Sequence, residues 1–239
     1  MPHQENSSVD TAEIFADMAR RLQRVGSREE TWQQIVDLAS GLLPEFEHAA
    51  ISIVHNDGRI DTPASSDDVG RAVDMIEYEA GEGPCLSAIR DEEVYLTGDL
   101  AKEARWPKFS QRAVQETGIR SMLSLQLFVQ EGSLGALNLY SQTVDAFDER
   151  AVAYGKVLAA HAAIAMSAAD EHELADQMTS ALESNRDIGV AVGIMMIQSK
   201  TNRAGAFGIL TEASQRMNVK LRDLATRIIV GAEQSRGGP

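Results

Sequence analysis

The chain has 239 residues, 44% hydrophobic and 24% charged, enough for one large or two small cores and too apolar for a disordered or fibrous protein. Its 22 Lys+Arg against 36 Asp+Glu leave a net charge of −14, which taken whole argues against nucleic acid as a partner. The single cysteine, Cys85, excludes an internal disulfide framework and a multi-cysteine zinc site, and suits a reducing cytoplasm.

The charge is unevenly spread. Residues 1–170 hold 14 basic and 28 acidic side chains, whereas residues 171–239 hold 8 of each. From Arg186 onward 8 basic residues face 4 acidic ones (Asp187, Glu212, Asp223, Glu233), a local +4 behind an acidic body. That asymmetry points to two modules with different partners. The polar first ten residues carry no secretory signal, and the longest apolar run, Gly189 to Ile197, is nine residues, too short to span a bilayer. The expectation is a soluble, cytoplasmic protein without a membrane partner.

The first element is an amphipathic helix, with Asp10 and Glu13 as a capping box and Ile14, Met18, Leu22 and Val25 at helical spacing before Gly26. A second helix starts at Ser27 with Glu30 in capping position, carries Trp32, Ile35, Leu38 and Leu42 on one face, and ends at Pro44. Ala49 to His55 reads as a strand, followed by an Asn56-Asp57-Gly58 turn. Val69, Val73 and Ile76 mark a helix, Gly81 to Cys85 a tight loop, and Pro84 the start of a short helix through Ala88. Glu93 to Leu96 is a short strand, and Lys108 to Thr117 a helix stopped by Gly118.

Leu123, Leu125 and Leu127 then alternate with Ser124 and Gln126, and a partner strand runs Leu134 to Ser141 across a Glu131-Gly132-Ser133 turn. Such alternation predicts an antiparallel sheet with one face on a core, and the mixture of elements an α+β fold. From Asp148 the pattern is helical, and Glu149 to Ser199 forms one or two long helices. Within it Leu174, Met178, Ala181, Asn185, Ile188, Val192 and Met195 follow steps of four and three, a heptad seam for a coiled-coil homodimer, against the alternative of packing within the chain. Asn202 caps a further helix with Ala206, Leu210, Ala213 and Met217 on its apolar face and Asn218 as its stop. Leu221, Leu224, Ala225 and Ile228 face inward from the last helix, and Ser235 to Pro239 fray. A helical joint between the modules transmits displacement, which a flexible tether does not.

No catalytic constellation emerges, so the chain reads as a non-enzyme. Cys85 has no His or Asp partner by spacing and reads as a small residue lining a loop or pocket; His3, His48, His55, His161 and His172 lack metal-ligand spacing. Gly81 and Gly83 lack the lysine of a phosphate-binding loop, and Asp57, Asp61, Asp67, Asp68 and Asp74 read as solvated surface rather than a metal site. Trp106-Pro107 is a rigid corner that borders a pocket or packs in the core. The positive tail carries Arg186, Lys200, Arg203, Arg216, Lys220, Arg222 and Arg227, interleaved with Ser214, Gln215 and Asn218. Those ten residues are candidates for contacting phosphates and unstacked bases of an RNA stem-loop. Phe207 is the single aromatic there, so base stacking is not expected to be the main mode.

The stretch Asn185-Arg-Asp-Ile-Gly-Val-Ala-Val-Gly-Ile-Met-Met196, with Ala206-Phe207, Leu210, Ala213-Ser-Gln215, Asn218 and Lys220-Leu-Arg-Asp-Leu-Ala225, resembles an ANTAR domain over about residues 171–232. The resemblance implies a three-helix RNA-binding module of transcription antitermination, acting on stem-loops of a leader transcript. Gly81-Glu-Gly-Pro-Cys85, Asp99, Arg105-Trp-Pro107, Ser121-Met-Leu-Ser124, Gly135 to Ser141 and Ala146-Phe147-Asp148 resemble a GAF sensor domain of the kind fused to ANTAR in actinobacteria. This implies a roughly six-stranded antiparallel sheet flanked by helices, with a pocket for a small molecule. The pocket candidates are Cys85, Trp106, Leu123, Leu125 and Asn138. The implied division is an N-terminal helix at 1–26, a GAF domain at 27–168, a helix-connected ANTAR domain at 169–235 and a frayed tail at 236–239.

Similar ANTAR sequences commonly carry lysine in place of Val192 and arginine in place of Thr211, so the resemblance implies two fewer charge-assisted phosphate contacts here. That departure motivates an alternative, a sensory and dimerisation protein whose tail has lost RNA affinity and acts through protein partners. No cofactor is readable. The 5% aromatic content argues against a large flat chromophore, and the ligand stays unknown.

Overall fold

A computed structural model describes residues 13–14, 16–22, 26–55, 57–91, 94–130 and 133–236. Asp10, Val25, Asn56, Glu93, Glu131 and Gly132 of the elements expected above lie outside these. The chain divides into two compact units, residues 1–172 and 173–239.

In the first unit, helical residues 13–14 and 16–22 (α1) bury Met18 and Leu22. Helix α2 (Arg28–Ser40) opens on the expected capping box: the Glu30 amide donates to the Ser27 hydroxyl at 3.2 Å, and the Ser27 amide donates to the Glu30 carboxylate at 3.0 Å. It stops at Gly41, so Leu42 lies beyond it and Pro44 is not its terminator. Strands β1 (His48–Val54) and β2 (Ile60–Ser65) form a hairpin whose turn is closed by the His55 amide on the Arg59 carbonyl at 2.8 Å. Gly58 sits there at φ +83°, a conformation that excludes most side chains.

Helix α3 (Asp68–Ala80) is capped by the Asp67 carboxylate and ends at Gly81 with φ 68°. Helix α4 (Pro84–Asp91) begins at Pro84 and extends past Ala88; then come β3 (Val94–Thr97), a 3-10 turn (Leu100–Lys102) and α5 (Pro107–Thr117). Strands β4 (Ser121–Gln130) and β5 (Ser133–Ser141) complete a five-stranded sheet, order β2-β1-β5-β4-β3, antiparallel throughout. Among the described residues the sheet thus has five strands, not six.

Both faces of that sheet are covered, which corrects the one-face expectation. Leu123, Leu125, Leu127, Leu137 and Leu139 face Ile35, Phe46, Leu158 and Met166. The alternate positions Met122 and Tyr140 face Val73, Cys85, Trp106 and Phe109 on the other side, and Ser124 is as buried as its leucine neighbours. The small hydroxyls at Ser124 and Ser52 mimic a solvated face in sequence, but they lie beneath α3–α5.

Helix α6 is one continuous helix, Glu149–Gln198. In the first unit it buries Ala151, Tyr154, Leu158, Ala162, Ala165 and Ala169, and Asp170 pairs with Arg28 of α2. Gly155 lies directly on the sheet: a β-carbon there would sit 3.0 Å from Leu125 Cδ1 and 3.3 Å from Leu123 Cδ2. By length and a mean hydropathy of 1.3 over one stretch, α6 is apolar enough to cross a membrane. That window is 44% buried inside the protein.

In the second unit the end of α6 packs with α7 (Arg203–Met217) and α8 (Leu221–Arg236). The core is small: Ala191, Val192, Ala206, Leu210, Leu224 and Ala225, flanked by Ile188, Met195, Ala213, Leu221 and Ile228. Asn202 caps α7 through its side-chain oxygen on the Gly205 amide at 2.9 Å, and Asn218 ends it at φ 51°. Met217, read from the sequence as part of the inner face of α7, is the last residue of that helix and is 51% exposed. Ser235, expected to fray, is helical.

Candidate functional site

Beneath α3–α5 the first unit holds a largely buried polar cluster. Helix α3 places Asp74 and Glu77 one turn apart, both with 0% exposure. Asp74 accepts hydrogen bonds from Ser52 (3.2 Å), Thr62 (2.7 Å), the Asn138 amide (3.3 Å) and the Tyr140 hydroxyl, with Tyr78 at 3.4 Å. Strands β1, β2 and β5 therefore all converge on one carboxyl. Glu77 accepts from the Leu86 amide at 2.9 Å through one oxygen; its other oxygen is buried with no partner. The amide oxygen of Asn138 and the hydroxyl of Ser124 are equally unpartnered. Gly83 allows this arrangement, since a β-carbon there would overlap the Glu77 carboxyl.

Burial raises the pKa of Asp74 against the hydrogen bonds that lower it. Burial raises Glu77 well above the ordinary carboxyl range, and the neighbouring Asp74 charge raises it further. The Cys85 thiol is pushed up by burial and then by Glu77 and Asp74, which disfavours its thiolate. The cluster is suited to take up a proton or a hydrogen-bond donor.

The five pocket candidates do not come together. Cys85 and Trp106 lie in the core beneath α3–α5, where Asn138 donates to Ser52 at 2.9 Å; Leu123 and Leu125 point to the opposite face of the sheet. The Trp106 ring nitrogen donates to Ser87 at 3.1 Å, and the Arg105 guanidinium covers the ring at 4.3 Å. Asp74 corrects the reading of the acidic residues as solvated surface. Asp61 and Asp67 do lie at the surface, near His55 (3.1 Å) and His48 (2.6 Å). Glu77, Tyr78 and Tyr140 are not singled out in the sequence reading. The signal for the two acids was their place beside Val73 and Ile76 on the inner stripe of α3, where a carboxylate needs partners. Among the described residues no group of three His, Cys, Asp or Glu side chains can hold a metal ion.

The second unit carries the cationic surface. Arg186, Lys200, Arg203, Arg216, Lys220, Arg222 and Arg227 are all exposed, as are Gln215 and Asn218. Among the described residues only Arg222 of these seven cations lies within reach of a carboxylate, Asp223 at 3.4 Å. Ser214 is half-buried, and its hydroxyl donates to the Val219 carbonyl at 2.7 Å, so it braces the α7–α8 turn. Asn218 likewise has a local role as the left-handed stop of α7. The heptad seam divides: Ile188, Val192 and Met195 join the unit's own core, while Leu174, Met178, Ala181 and Asn185 are exposed.

A model of the GAF domain matches residues 26–167. The chain belongs to the GAF domain family. A model of the ANTAR domain matches residues 176–229, so this is a GAF and ANTAR domain-containing regulator. The sheet unit is similar to the GAF domain of a phosphoenolpyruvate-protein phosphotransferase from Coxiella burnetii, at 16% identity and TM-score 0.52, covering 68% of this chain and 96% of that one. It is similar also to an N-acylhomoserine lactone dependent LuxR family transcription factor from Burkholderia cenocepacia (17% identity, TM-score 0.51, 69% and 98% covered). A third is a free methionine-R-sulfoxide reductase from Neisseria meningitidis (14%, 0.50, 67% and 90%). At such identities the likeness is one of fold alone. No curated protein matches the chain. GAF is a sensory domain and ANTAR an RNA-binding one of antitermination regulators; both are regulatory rather than catalytic.

Proposed function

We propose that this GAF–ANTAR protein is a signal-responsive RNA-binding regulator that acts in the cytoplasm as a homodimer and grips stem-loops of a leader transcript. The observation that carries this reading is the set of exposed cations on the ANTAR unit, six of seven unpaired among the described residues. Free cations are available to phosphates, whereas cations held in ion pairs must first give up a partner. Residues 27–168 serve as the sensor, residues 169–235 as the RNA module, and residues 1–26 and 236–239 flank them.

The sensed small molecule is received at the Asp74–Glu77–Asn138 cluster with Cys85 and Trp106 beside it, rather than at Leu123 and Leu125. Helix α6 belongs to both units and carries the signal between them. Dimerisation uses the exposed seam Leu174, Met178, Ala181 and Asn185, with Asn185 setting register. The alternative, a tail without RNA affinity, draws on Val192 and Thr211. Val192 is enclosed in the core at 6% exposure, and the Thr211 hydroxyl donates to the Phe207 carbonyl at 2.9 Å, so both residues have structural roles and neither favours it.

Titration of the full-length protein with tandem stem-loop RNA at a series of salt concentrations tests the reading. Affinity is expected to fall steeply with salt and to exceed that for scrambled RNA. Equal binding to scrambled RNA, or none at low salt, refutes it. Sedimentation of the protein and of Leu174→Asp/Met178→Asp checks the seam, the variant being expected as monomer.

A further inference from the structure

Two grooves flank the end of α6 in the second unit, and their linings differ in kind. One, of about 410 Å³, is walled by Val190, Ile194, Ile197 and Ile229, and its one charge is Glu233. The other, of about 590 Å³, has a floor of Ile188, Gly189 and Val192; its one charge is Arg203, beside Phe207 and Asn185. Phe207 is 46% exposed, although aromatic side chains of such size are normally covered. A β-carbon at Gly189 would meet nothing within 4 Å, so the floor is open. Arg186, exposed, adjoins the lining residue Asn185 in sequence, and no carboxylate lines the groove.

We infer that the Phe207 groove holds one unstacked base of the bound RNA. This rests on the RNA-binding reading and goes beyond it by assigning a base-reading site. The volume lies within the range of small-ligand pockets. The Phe207 ring offers a face for a base to stack on, and Arg203 offers its guanidinium to the adjoining phosphate. Arg203 gives this groove the sign that attracts a phosphate, whereas the Glu233 groove would repel one. Stacking therefore takes a larger part in recognition than a lone aromatic in the sequence implies.

The test uses full-length protein and a stem-loop RNA pool with a randomised loop, followed by the loop that it selects. Phe207→Leu is expected to weaken binding about tenfold with an unchanged salt slope, and Phe207→Tyr to retain it. Replacing one loop base by an abasic site is expected to cost the wild type the same factor and Phe207→Leu nothing more. Arg203→Gln is expected to reduce the salt slope by about one. If the wild type binds the pool and Phe207→Leu binds as tightly, the groove assignment falls and the RNA reading stands. If the wild type does not bind the pool at low salt, both fall. If Phe207 is shielded from hydroxyl-radical oxidation in RNA-free protein, a second copy covers the groove and the assignment is overturned.

Discussion

The two units handle charge in opposite ways. In the sheet unit Arg28, Arg59, Arg90, Lys102, Arg105, Arg112 and Arg120 all lie in ion pairs, and two carboxyls are buried without a cation among their hydrogen-bond partners. In the helical unit six of the seven cations named above are without an ion pair among the described residues, around a core of six buried side chains, three of them alanines. A large core can bury ionisable groups that respond to their surroundings; a small one can only display them. Sensing and binding are thus divided according to what each core can support.

The sharpest way to break the comparison is Leu210→Ala. Leu210 is 1% exposed in the small core, and its truncation is expected to cost about 2–5 kcal/mol. Calorimetry should show the helical unit melting earlier with the sheet unit unmoved; a single transition shifted as a whole would deny the units their independence. Next is Lys220→Glu/Arg227→Glu, expected to weaken stem-loop binding about a hundredfold, or about 2.7 kcal/mol, without altering the melting temperature. Filter binding and a thermal melt read the two separately.

Glu77→Gln sharpens the other side. The native pKa of Glu77 is raised, so the folded state holds that proton more tightly than the unfolded chain. Its stabilising share is complete below the ordinary carboxyl range and is lost as pH rises through the native value. Urea unfolding is therefore expected to show Glu77→Gln more stable than wild type by about 1–2 kcal/mol at pH 8, with the gain shrinking toward pH 4. The smallest effect is Ser27→Ala, which removes the capping box of α2 and should cost about 1 kcal/mol in the same assay.

The parts of this architecture that sequence displays are those with local causes. Ser27 with Glu30, Pro84, Gly118, Asn202 and Asn218 each start or stop a helix by chemistry within a few residues, and each does so in the structure. The covering of the second sheet face was hidden, because serines at 52 and 124 look solvated until the helices over them are known. Asp74 was hidden for the same reason: its partners come from positions 52, 62, 138 and 140, which only the β2–β1–β5 pairing brings together. The cationic residues were legible as a set. Their availability, and the separate duties of Ser214 and Asn218, were not.

Gly155 gives an experimenter a graded dial at the head of α6. A single methyl introduced there meets leucine side chains that can turn aside by a few tenths of an ångström, so Gly155→Ala lifts the helix without unseating it. Residue 155 lies 48 positions before Arg203, the first cation of α7, so a change in RNA affinity from that methyl is the expected sign of transmission along α6.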